Sequence, residues 1–306
     1  MANLKELSKK DEKLTGGHRL CAGCGAGIVA RQVLLACEKP VVVANATGCL
    51  EVATTIFPYT SWNVPWFHSA FENAAASISG IETAYKALKK KGKVTEDIDF
   101  IAFGGDGGTY DIGLQALSGA MERGNRILYV CYNNEAYMNT GIQRSSATPM
   151  GATTTTAPSG KQSSGKIQAR KDLTAIMVAH NIPYAAQTAV GFHNDLISKV
   201  QKALASNGPA FINVIQPCRL GWAYPPEDTI RLGRLAADTC VWPLYEVVNG
   251  EYKLSYKPKE KKPVVEWLKV QGRFKHLFKP GNEAVIEQIQ KDVDKNWEKI
   301  LALCKA

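Results

Sequence analysis

Two apolar, β-branched segments of this 306-residue chain each run directly into a short polar motif, and this arrangement limits the folds available to it. Ile98–Phe103 is followed by Gly104–Gly108, and Arg126–Tyr132 is followed by Asn133-Asn134. The stretch between them, from Asp111 to about Glu122, has the apolar spacing of a helix. A strand, a helix and a strand in succession are typical of a parallel α/β sheet. Both motifs are therefore expected where ligands bind in such sheets, beyond the carboxyl ends of the strands.

Strand-like apolar runs alternate with amphipathic stretches along most of the chain. We predict further strands at Pro40–Ala44, Tyr184–Gln187 and Ala210–Ile215, and a long helix from about Phe67 to Lys90. This alternation indicates the α/β class, with a doubly wound, mostly parallel sheet and helices on both of its faces. We expect one large domain over residues 1–250 to carry both polar motifs.

The composition changes after residue 250, where the chain becomes basic and less regular. Lys257–Pro263 is typical of an extended linker, and Glu283–Leu303 has the spacing of an amphipathic helix. We interpret residues 251–306 as a basic C-terminal arm that ends in this helix. Another irregular stretch, Thr140–Gly165, is rich in Ser, Thr and Gly, and loops of this length inside a domain are usually functional.

The overall composition is that of a globular protein, with 45% hydrophobic and 21% charged residues. No apolar run is long enough to span a bilayer, so no membrane association is expected. Met1–Lys10 lacks the apolar core of a secretory signal. We therefore expect a cytoplasmic protein whose cysteines are reduced thiols or metal ligands.

Much of the excess positive charge in the net +9 comes from Lys89–Lys91 and Lys257–Lys262. Lysines at the end of a helix complement its dipole and usually face water, so they do not indicate nucleic-acid binding. A basic rim that docks an acidic electron-carrier protein fits better, because complementary charge raises association rates.

The segment around Asp106 has the composition of a metal and diphosphate site. Gly105, Gly107 and Gly108 let the backbone approach a phosphate closely, and the helix that follows offers free N–H groups to an anion. The Asp106 carboxylate and the Asn134 amide oxygen are ligands suited to Mg²⁺. A lone Gly-Asp-Gly occurs in many turns, but its spacing from the Asn pair makes the combination more specific.

Gly25-Ala-Gly27 with Ala30 matches a dinucleotide-binding pattern. No convincing strand precedes it, and it overlaps the adjacent cysteine pair. We interpret these glycines as turn and helix-start residues.

Four of the eight cysteines lie in settings suited to metal ligands. Cys21 and Cys24 form a Cys-x-x-Cys pair, which is compatible with half of a zinc knuckle, a redox dithiol or half of a cluster site. Cys49 and Cys218 each follow an apparent strand and are expected at the same sheet edge as Asp106. The others have apolar or helical settings and are interpreted as core or incidental residues: Cys37, Cys131, Cys240 and Cys304.

Several of these segments resemble the β subunit of the multi-subunit pyruvate:ferredoxin oxidoreductase family. The segments are Cys21–Gly25, Ala44–Cys49, Gly104–Gly107 and Asn133–Pro149, within a similarity that extends from Leu20 to about Leu220. The spacing of the Gly-Asp-Gly and Asn-Asn motifs is also similar to that of thiamine diphosphate enzymes in general. The resemblance implies a thiamine diphosphate-binding fold, with thiamine diphosphate, Mg²⁺ and a [4Fe–4S] cluster bound within residues 1–250.

The resemblance also implies a role for individual residues. The Mg²⁺ ligands would be the side chains of Asp106 and Asn134 and the carbonyl of Ala136. The cluster ligands would be Cys21, Cys24, Cys49 and Cys218. The residues that bind thiamine diphosphate would be Gly48, Cys49, Gly105, Asp106, Gly107, Gly108, Asn134 and Thr140. Asn139 maps onto a position near the reacting carbon, where its amide could orient the substrate.

In this family a 2-oxoacid and coenzyme A give acyl-CoA, CO₂ and two equivalents of reduced ferredoxin. We expect pyruvate, because Asn133–Pro149 and Asn45–Cys49 are most similar to the pyruvate members. The alternatives are 2-oxoisovalerate, 2-oxoglutarate and oxalate. The resemblance implies γ and δ (ferredoxin-like) subunits, and an α subunit whose glutamate activates the aminopyrimidine. Glu51 is therefore not assigned that role. His68, expected at a helix start, suits a structural or partner-facing role as well as it suits an acid–base role.

The sequence is also compatible with two other classes of protein. A non-catalytic electron relay would keep the four candidate cysteines but would not need Asp106 and Asn134 at their spacing. A zinc-stabilised α/β binding domain would give a colourless protein.

Overall fold

The computed structural model describes residues 4–305, within which eight strands form one sheet. The strands are β1 Val41–Ala46, β2 Trp66–Ser69, β3 Asp99–Gly105, β4 Leu128–Asn133, β5 Tyr184–Ala189, β6 Ala210–Ile215, β7 Leu244–Val248 and β8 Glu251–Tyr256. Their order across the sheet is β2-β1-β3-β4-β6-β5-β7-β8. The first six of these neighbours pair in parallel, and β7 and β8 extend the sheet as antiparallel strands.

Helices cover both faces of this sheet. The α-helices are α1 Leu4–Leu7, α2 Gly25–Leu35, α3 Cys49–Thr54, α4 Ala74–Lys90, α5 Leu114–Glu122, α6 Leu173–Val178, α7 His193–Ala205, α8 Arg219–Trp222, α9 Thr229–Asp238, α10 Val264–Lys269 and α11 Glu283–Leu303. One core layer joins α2 and α7 to the sheet, and the layer on the opposite face joins α4, α5 and α6 to it. The predicted doubly wound, mostly parallel α/β fold is confirmed. None of the helices within residues 4–305 has the length and apolar character needed to cross a membrane.

The central strands are buried on both faces, which explains their continuous apolar sequence. Along β4, Leu128, Val130 and Tyr132 belong to the layer of α2 and α7, whereas Tyr129 and Cys131 belong to the layer of α4 and α5. This alternation is the ordinary pleat of a strand. It directs the side chain of Tyr132 to one face of the sheet and that of Tyr129 to the other.

The prediction of one helix from about Phe67 to Lys90 is wrong at its N-terminal end. Trp66–Ser69 forms the edge strand β2, paired in parallel with β1, and α4 begins only at Ala74. His68 therefore lies in a strand and not at a helix start. The segment is too short to show a clear alternation of apolar and polar residues, so the helical spacing beyond it dominated the pattern.

The helix expected from Asp111 begins earlier and is irregular. Gly107–Ile112 forms a π-helical turn, in which Gly113 N–H donates to the Gly108 carbonyl at 2.7 Å, and α5 follows. A Cβ on Gly113 would lie 2.2 Å from that carbonyl oxygen. Glycine at this position thus permits the wide turn directly after the Gly-Asp-Gly motif. Turns of this kind are frequent at functional sites.

The C-terminal segment packs against the domain. The β7–β8 hairpin crosses residue 250, and α10, a 3₁₀ segment at Gly272–Phe278 and α11 contribute to a third core cluster. The predicted helix Glu283–Leu303 is α11. The division of the chain at residue 250 stays a prediction.

Candidate functional site

A cleft lies at the carboxyl ends of β1, β3 and β4, with an empty volume of about 330 Å³ that includes the part open to solvent. The predicted residues that line it are Gly48, Cys49, Gly105, Asp106, Gly107, Gly108, Asn134, Ala136, Asn139 and Thr140. Three separate loops contribute them, because parallel strands bring their following loops to one edge of the sheet. The individual roles assigned to these residues stay predictions.

Asp106 is the buried acid of this cleft, with no exposed surface. One carboxylate oxygen accepts from the Asn134 backbone N–H at 3.1 Å, and the other accepts from the Ser145 hydroxyl at 2.6 Å. Burial raises the pKa of Asp106 to about 7, although these hydrogen bonds oppose the shift. A cation bound here would lower that pKa again by favouring the carboxylate.

Three oxygen atoms converge beside Asp106. The side-chain oxygen of Asn134 lies 3.0 Å from an Asp106 carboxylate oxygen and 2.8 Å from the Ala136 carbonyl oxygen, while its amide nitrogen faces the amide nitrogen of Gln216 at 3.2 Å. Rotating the Asn134 amide would satisfy these contacts with hydrogen bonds in the free protein. When the Asn134 oxygen faces the other two oxygens, these two separations match those of adjacent ligands of octahedral Mg²⁺, which lie about 2.9 Å apart for bonds of about 2.1 Å. The Asp106–Asn134 and Asn134–Ala136 pairs thus fit this ion.

Glycine is required where the cleft is tightest. A Cβ on Gly107 would lie 2.3 Å from the ring of Tyr137, and one on Gly108 would lie 2.8 Å from the Phe71 carbonyl oxygen. The bare backbone at these positions leaves N–H groups accessible to a bound anion.

Several residues of the cleft were not identified from the sequence. Phe71, Tyr132, Tyr137 and Met138 contribute side chains to its lining, and Ser145 holds Asp106. Tyr137 and Met138 lie within the Asn133–Pro149 block, so that block contained a signal. Phe71 gave no such signal, because it falls within the helix predicted from about Phe67 to Lys90.

The turn that carries the predicted Mg²⁺ ligands is held by side chains from later segments of the chain, Arg273 of the C-terminal segment among them. Glu135 has no exposed surface and adopts a left-handed backbone with a φ of 66°. Its carboxylate pairs with Arg170 and with Arg273, the latter at 2.5 Å. Trp222 Nε1 donates to the Asn134 carbonyl at 2.7 Å, and the Arg273 guanidinium stacks on the same indole at 3.8 Å from the ring centre. Burial lowers the pKa of Arg273 to about 10, so it remains charged at neutral pH.

Three of the four candidate cluster cysteines lie at helix starts. Cys24 precedes α2, Cys49 is the first residue of α3, and Cys218 precedes α8. Neither the Cys24 nor the Cys218 side chain accepts a capping hydrogen bond from the helix that follows it. Burial raises the pKa of the Cys24 thiol and of the Cys218 thiol.

Burial raises the pKa of Cys49 to about 12, and the charges of Cys218, Cys24 and Cys21 add to the rise. Each of these four thiols is therefore close enough to influence another. Within residues 4–305 no three His, Cys, Asp or Glu side chains are arranged to hold one metal ion. A [4Fe–4S] cluster places its four thiolates on different irons, so its ligands lie further apart than those of a single ion. The donor set fits a cluster, which would offset the cost of deprotonating buried thiols.

His68 and Glu51 lie beside the Cys49 loop. His68 Nε2 is 2.8 Å from the Thr47 hydroxyl and 3.8 Å from a Glu51 carboxylate oxygen. Neither side chain lines the cleft, whereas Thr47 does.

A second pocket lies between β7 and the helices α10 and α11. Its empty volume is about 1050 Å³, which again includes the part open to solvent. None of the predicted site residues lines it. The candidate site is therefore the cleft at the sheet edge.

Comparison with known proteins agrees with this placement. Residues 46–214 match the thiamine pyrophosphate enzyme C-terminal TPP binding domain, a span that includes the cleft loops. The pyruvate synthase subunit PorB of Methanocaldococcus jannaschii is 57% identical over 96% of this chain and 98% of its own length. The ketoisovalerate oxidoreductase subunit VorB of Pyrococcus abyssi is 45% identical over 96% of this chain and 94% of its own.

A solved 2-oxoglutarate:ferredoxin oxidoreductase from Magnetococcus marinus has a similar fold. It superposes with a TM-score of 0.56 at 20% identity, over 68% of this chain and 67% of the other. From the sequence relatives, the chain belongs to the PorB family of pyruvate synthase subunits, a class of 2-oxoacid:ferredoxin oxidoreductase subunit.

Proposed function

We propose that this chain binds thiamine diphosphate, Mg²⁺ and one [4Fe–4S] cluster in a pyruvate:ferredoxin oxidoreductase. The observation that carries the proposal is the cleft itself, which is lined by the Gly-Asp-Gly motif, by Asn134 and by Cys49. When bound, thiamine diphosphate supplies the carbanion chemistry of 2-oxoacid decarboxylation, and the cluster accepts electrons singly.

The protein would hold the diphosphate through backbone and metal. Gly105, Gly107 and Gly108 leave the backbone open, and the three converging oxygens of Asp106, Asn134 and Ala136 would bind Mg²⁺. Ser145 would orient the Asp106 carboxylate through its hydrogen bond at 2.6 Å.

Asn139 and Thr140 would act on the open side of the cleft. Both side chains are exposed in the single chain. Thr140 would contact thiamine diphosphate, and the Asn139 amide would orient the substrate carbonyl or carboxylate by hydrogen bonding.

Cys21, Cys24, Cys49 and Cys218 would ligate the cluster. Cys49 also lines the cleft, so the cluster would lie next to the thiamine site. A short separation between the two groups suits the transfer of single electrons to ferredoxin.

Pyruvate is the substrate that the relatives favour. The pyruvate synthase relative is 57% identical and the ketoisovalerate relative 45% identical, over equal shares of this chain. The same chemistry on 2-oxoisovalerate, 2-oxoglutarate or oxalate is the second candidate. A non-catalytic electron relay would not need the oxygen cluster at Asp106.

The proposal includes partners and a cytoplasmic location. An α subunit would complete the cleft and supply the glutamate for the aminopyrimidine. The other partners would be γ and δ subunits, ferredoxin and coenzyme A. Exposed apolar side chains beside the Cys49 loop support a covering partner: Val52, Phe57, Tyr59 and Phe67. Phe57 alone is 93% exposed, and such groups of apolar residues mark interaction sites.

The test is cofactor analysis of the native complex, purified without oxygen. We expect about four irons assignable to this chain and one bound thiamine diphosphate, with reduction of a viologen dye by pyruvate and coenzyme A. Iron without thiamine diphosphate would favour the electron relay. Both cofactors with inert pyruvate would overturn only the substrate assignment, and this outcome is checked by offering the other 2-oxoacids.

A further inference from the structure

The Tyr132 hydroxyl is a buried polar group without a partner. Tyr132 is 2% exposed, and its oxygen makes no hydrogen bond within the described part of the chain. Buried hydroxyls are usually paired, because an unmade hydrogen bond costs about 1–3 kcal/mol. A hydroxyl left in this state next to a cleft indicates that its partner is a bound group.

The position of this hydroxyl is known from its glycine neighbours. The oxygen lies 2.9 Å from where a Cβ on Gly48 would sit, and Tyr132 lines the cleft together with Gly48 and Cys49. Its ring packs in the core layer of α2, the helix that Cys24 precedes. The hydroxyl therefore lies nearer to Gly48, which precedes Cys49, than to Gly105, where the matching distance is 3.7 Å.

Tyr129 provides a contrast on the same strand. Its hydroxyl is buried on the opposite face of the sheet and lies 3.1 Å from the Thr109 hydroxyl. Strand β4 thus carries Tyr129, whose hydroxyl has a hydrogen-bond partner in the protein, and Tyr132, whose hydroxyl has none among the described residues.

We propose that Tyr132 donates a hydrogen bond to a sulfur of the iron–sulfur cluster at its Cys49 corner. This inference rests on the proposed function, since it requires the cluster. A hydrogen bond to a cluster sulfur stabilises the reduced state, which carries more negative charge, and so raises the reduction potential. Tyr132 would then tune how readily the cluster takes an electron from the thiamine site.

The test compares Y132F with Y129F in the anaerobically purified complex. Each variant removes one buried hydroxyl and keeps the ring. Iron and sulfide are measured first, and the cluster potential is then titrated by electron paramagnetic resonance without substrate. For Y132F we expect the midpoint potential of the cluster to fall by about 59 mV. At the wild-type midpoint, the ratio of reduced to oxidised cluster would then be about tenfold lower, since one electron is transferred. For Y129F we expect the wild-type potential.

An unchanged potential in Y132F, or an equal shift in both variants, would overturn the inference. A loss of thiamine diphosphate affinity in Y132F at unchanged potential would also overturn it, because the acceptor would then belong to thiamine. If Y132F fails to retain its iron, the wild-type complex is examined in D₂O for an exchangeable proton coupled to the reduced cluster, and its absence would count against the hydrogen bond. A wild-type complex without cluster iron would overturn the proposed function as well, and the iron assay separates that result from the others.

Discussion

At the scale of single residues, the site depends on a carboxylate buried among other oxygens. Asp106 has no exposed surface, and the Asn134 side-chain oxygen lies 3.0 Å from its carboxylate and 2.8 Å from the Ala136 carbonyl oxygen. A buried anion next to further acceptors is costly without a cation. A Mg²⁺ ion bound here, as proposed above, would offset that cost.

D106N should abolish most of the Mg²⁺-dependent affinity for thiamine diphosphate. It keeps the side-chain size but removes the charge, and even outer-shell changes at metal sites cost roughly 10- to 100-fold in affinity. Isothermal titration of the purified complex with thiamine diphosphate, with and without Mg²⁺, measures the effect. D99N is the matched control, since Asp99 is a buried acid at the opposite end of the same strand. Equal losses in the two variants would contradict a ligand role for Asp106.

G107A should distort the cleft. The added Cβ would lie 2.3 Å from the Tyr137 ring, so the ring must move, at a cost of roughly 1–3 kcal/mol. We expect lower thermal stability together with weaker binding of thiamine diphosphate. G80A is the control: Gly80 lies in α4 with open space around a Cβ, and alanine there should stabilise the helix by up to about 1 kcal/mol. Unchanged cofactor binding in G107A would show that the cleft tolerates a shifted ring.

At the scale of secondary-structure elements, the C-terminal segment supports the turn that carries Asn134 and Ala136. Arg273 comes from the 3₁₀ segment after α10 and reaches Glu135, the residue between Asn134 and Ala136. Trp222 of α8 holds the Asn134 carbonyl. The basic arm inferred from composition therefore contributes a buried ion pair to the site as well as surface charge.

R273M should destabilise the protein and loosen this turn. Removing one partner of a buried ion pair costs about 3–5 kcal/mol, and we expect the lower end because Arg170 still pairs with Glu135. Denaturation and Mg²⁺-dependent binding of thiamine diphosphate are measured together. R231M, which breaks an exposed pair with Asp228, should cost at most about 1 kcal/mol. A loss of stability in R273M with unchanged metal dependence would limit Arg273 to a structural role.

At the scale of the whole molecule, the four candidate cysteines come from opposite ends of the domain. Cys21 and Cys24 precede the sheet, whereas Cys218 follows β6. The charges of the other three nevertheless add to the rise that burial causes in the pKa of Cys49, because the parallel order of strands brings these segments to one edge. A cluster bound there would connect the segment before β1 with the loops that follow β1 and β6.

C218S should lose most of the iron of this chain while C304S keeps it. Cys304 lies at the end of α11, and burial raises its pKa without a contribution from any of the four candidate cysteines. Iron and sulfide analysis of the two complexes, with the cluster absorption near 400 nm, makes the comparison. Wild-type iron in C218S would remove Cys218 from the ligand set.

The sequence by itself determined the fold class and the local chemistry of the loops. Ala210–Ile215 and Glu283–Leu303 have the predicted bounds, because long apolar runs and a regular helical spacing are local signals. The Gly-Asp-Gly and Asn-Asn motifs are also local: their residue types suit a metal and a diphosphate, and their spacing resembles that of thiamine diphosphate enzymes.

Only the tertiary structure decided which distant groups meet. The edge strand at Trp66–Ser69, the pairing of Arg273 with Glu135 and the unpartnered hydroxyl of Tyr132 have no signal in the local pattern. Each depends on packing between segments far apart in the chain, where burial sets the energy of a charge or a hydroxyl. Sequence spacing reports periodicity along one segment and carries no information on what lies across the core from it.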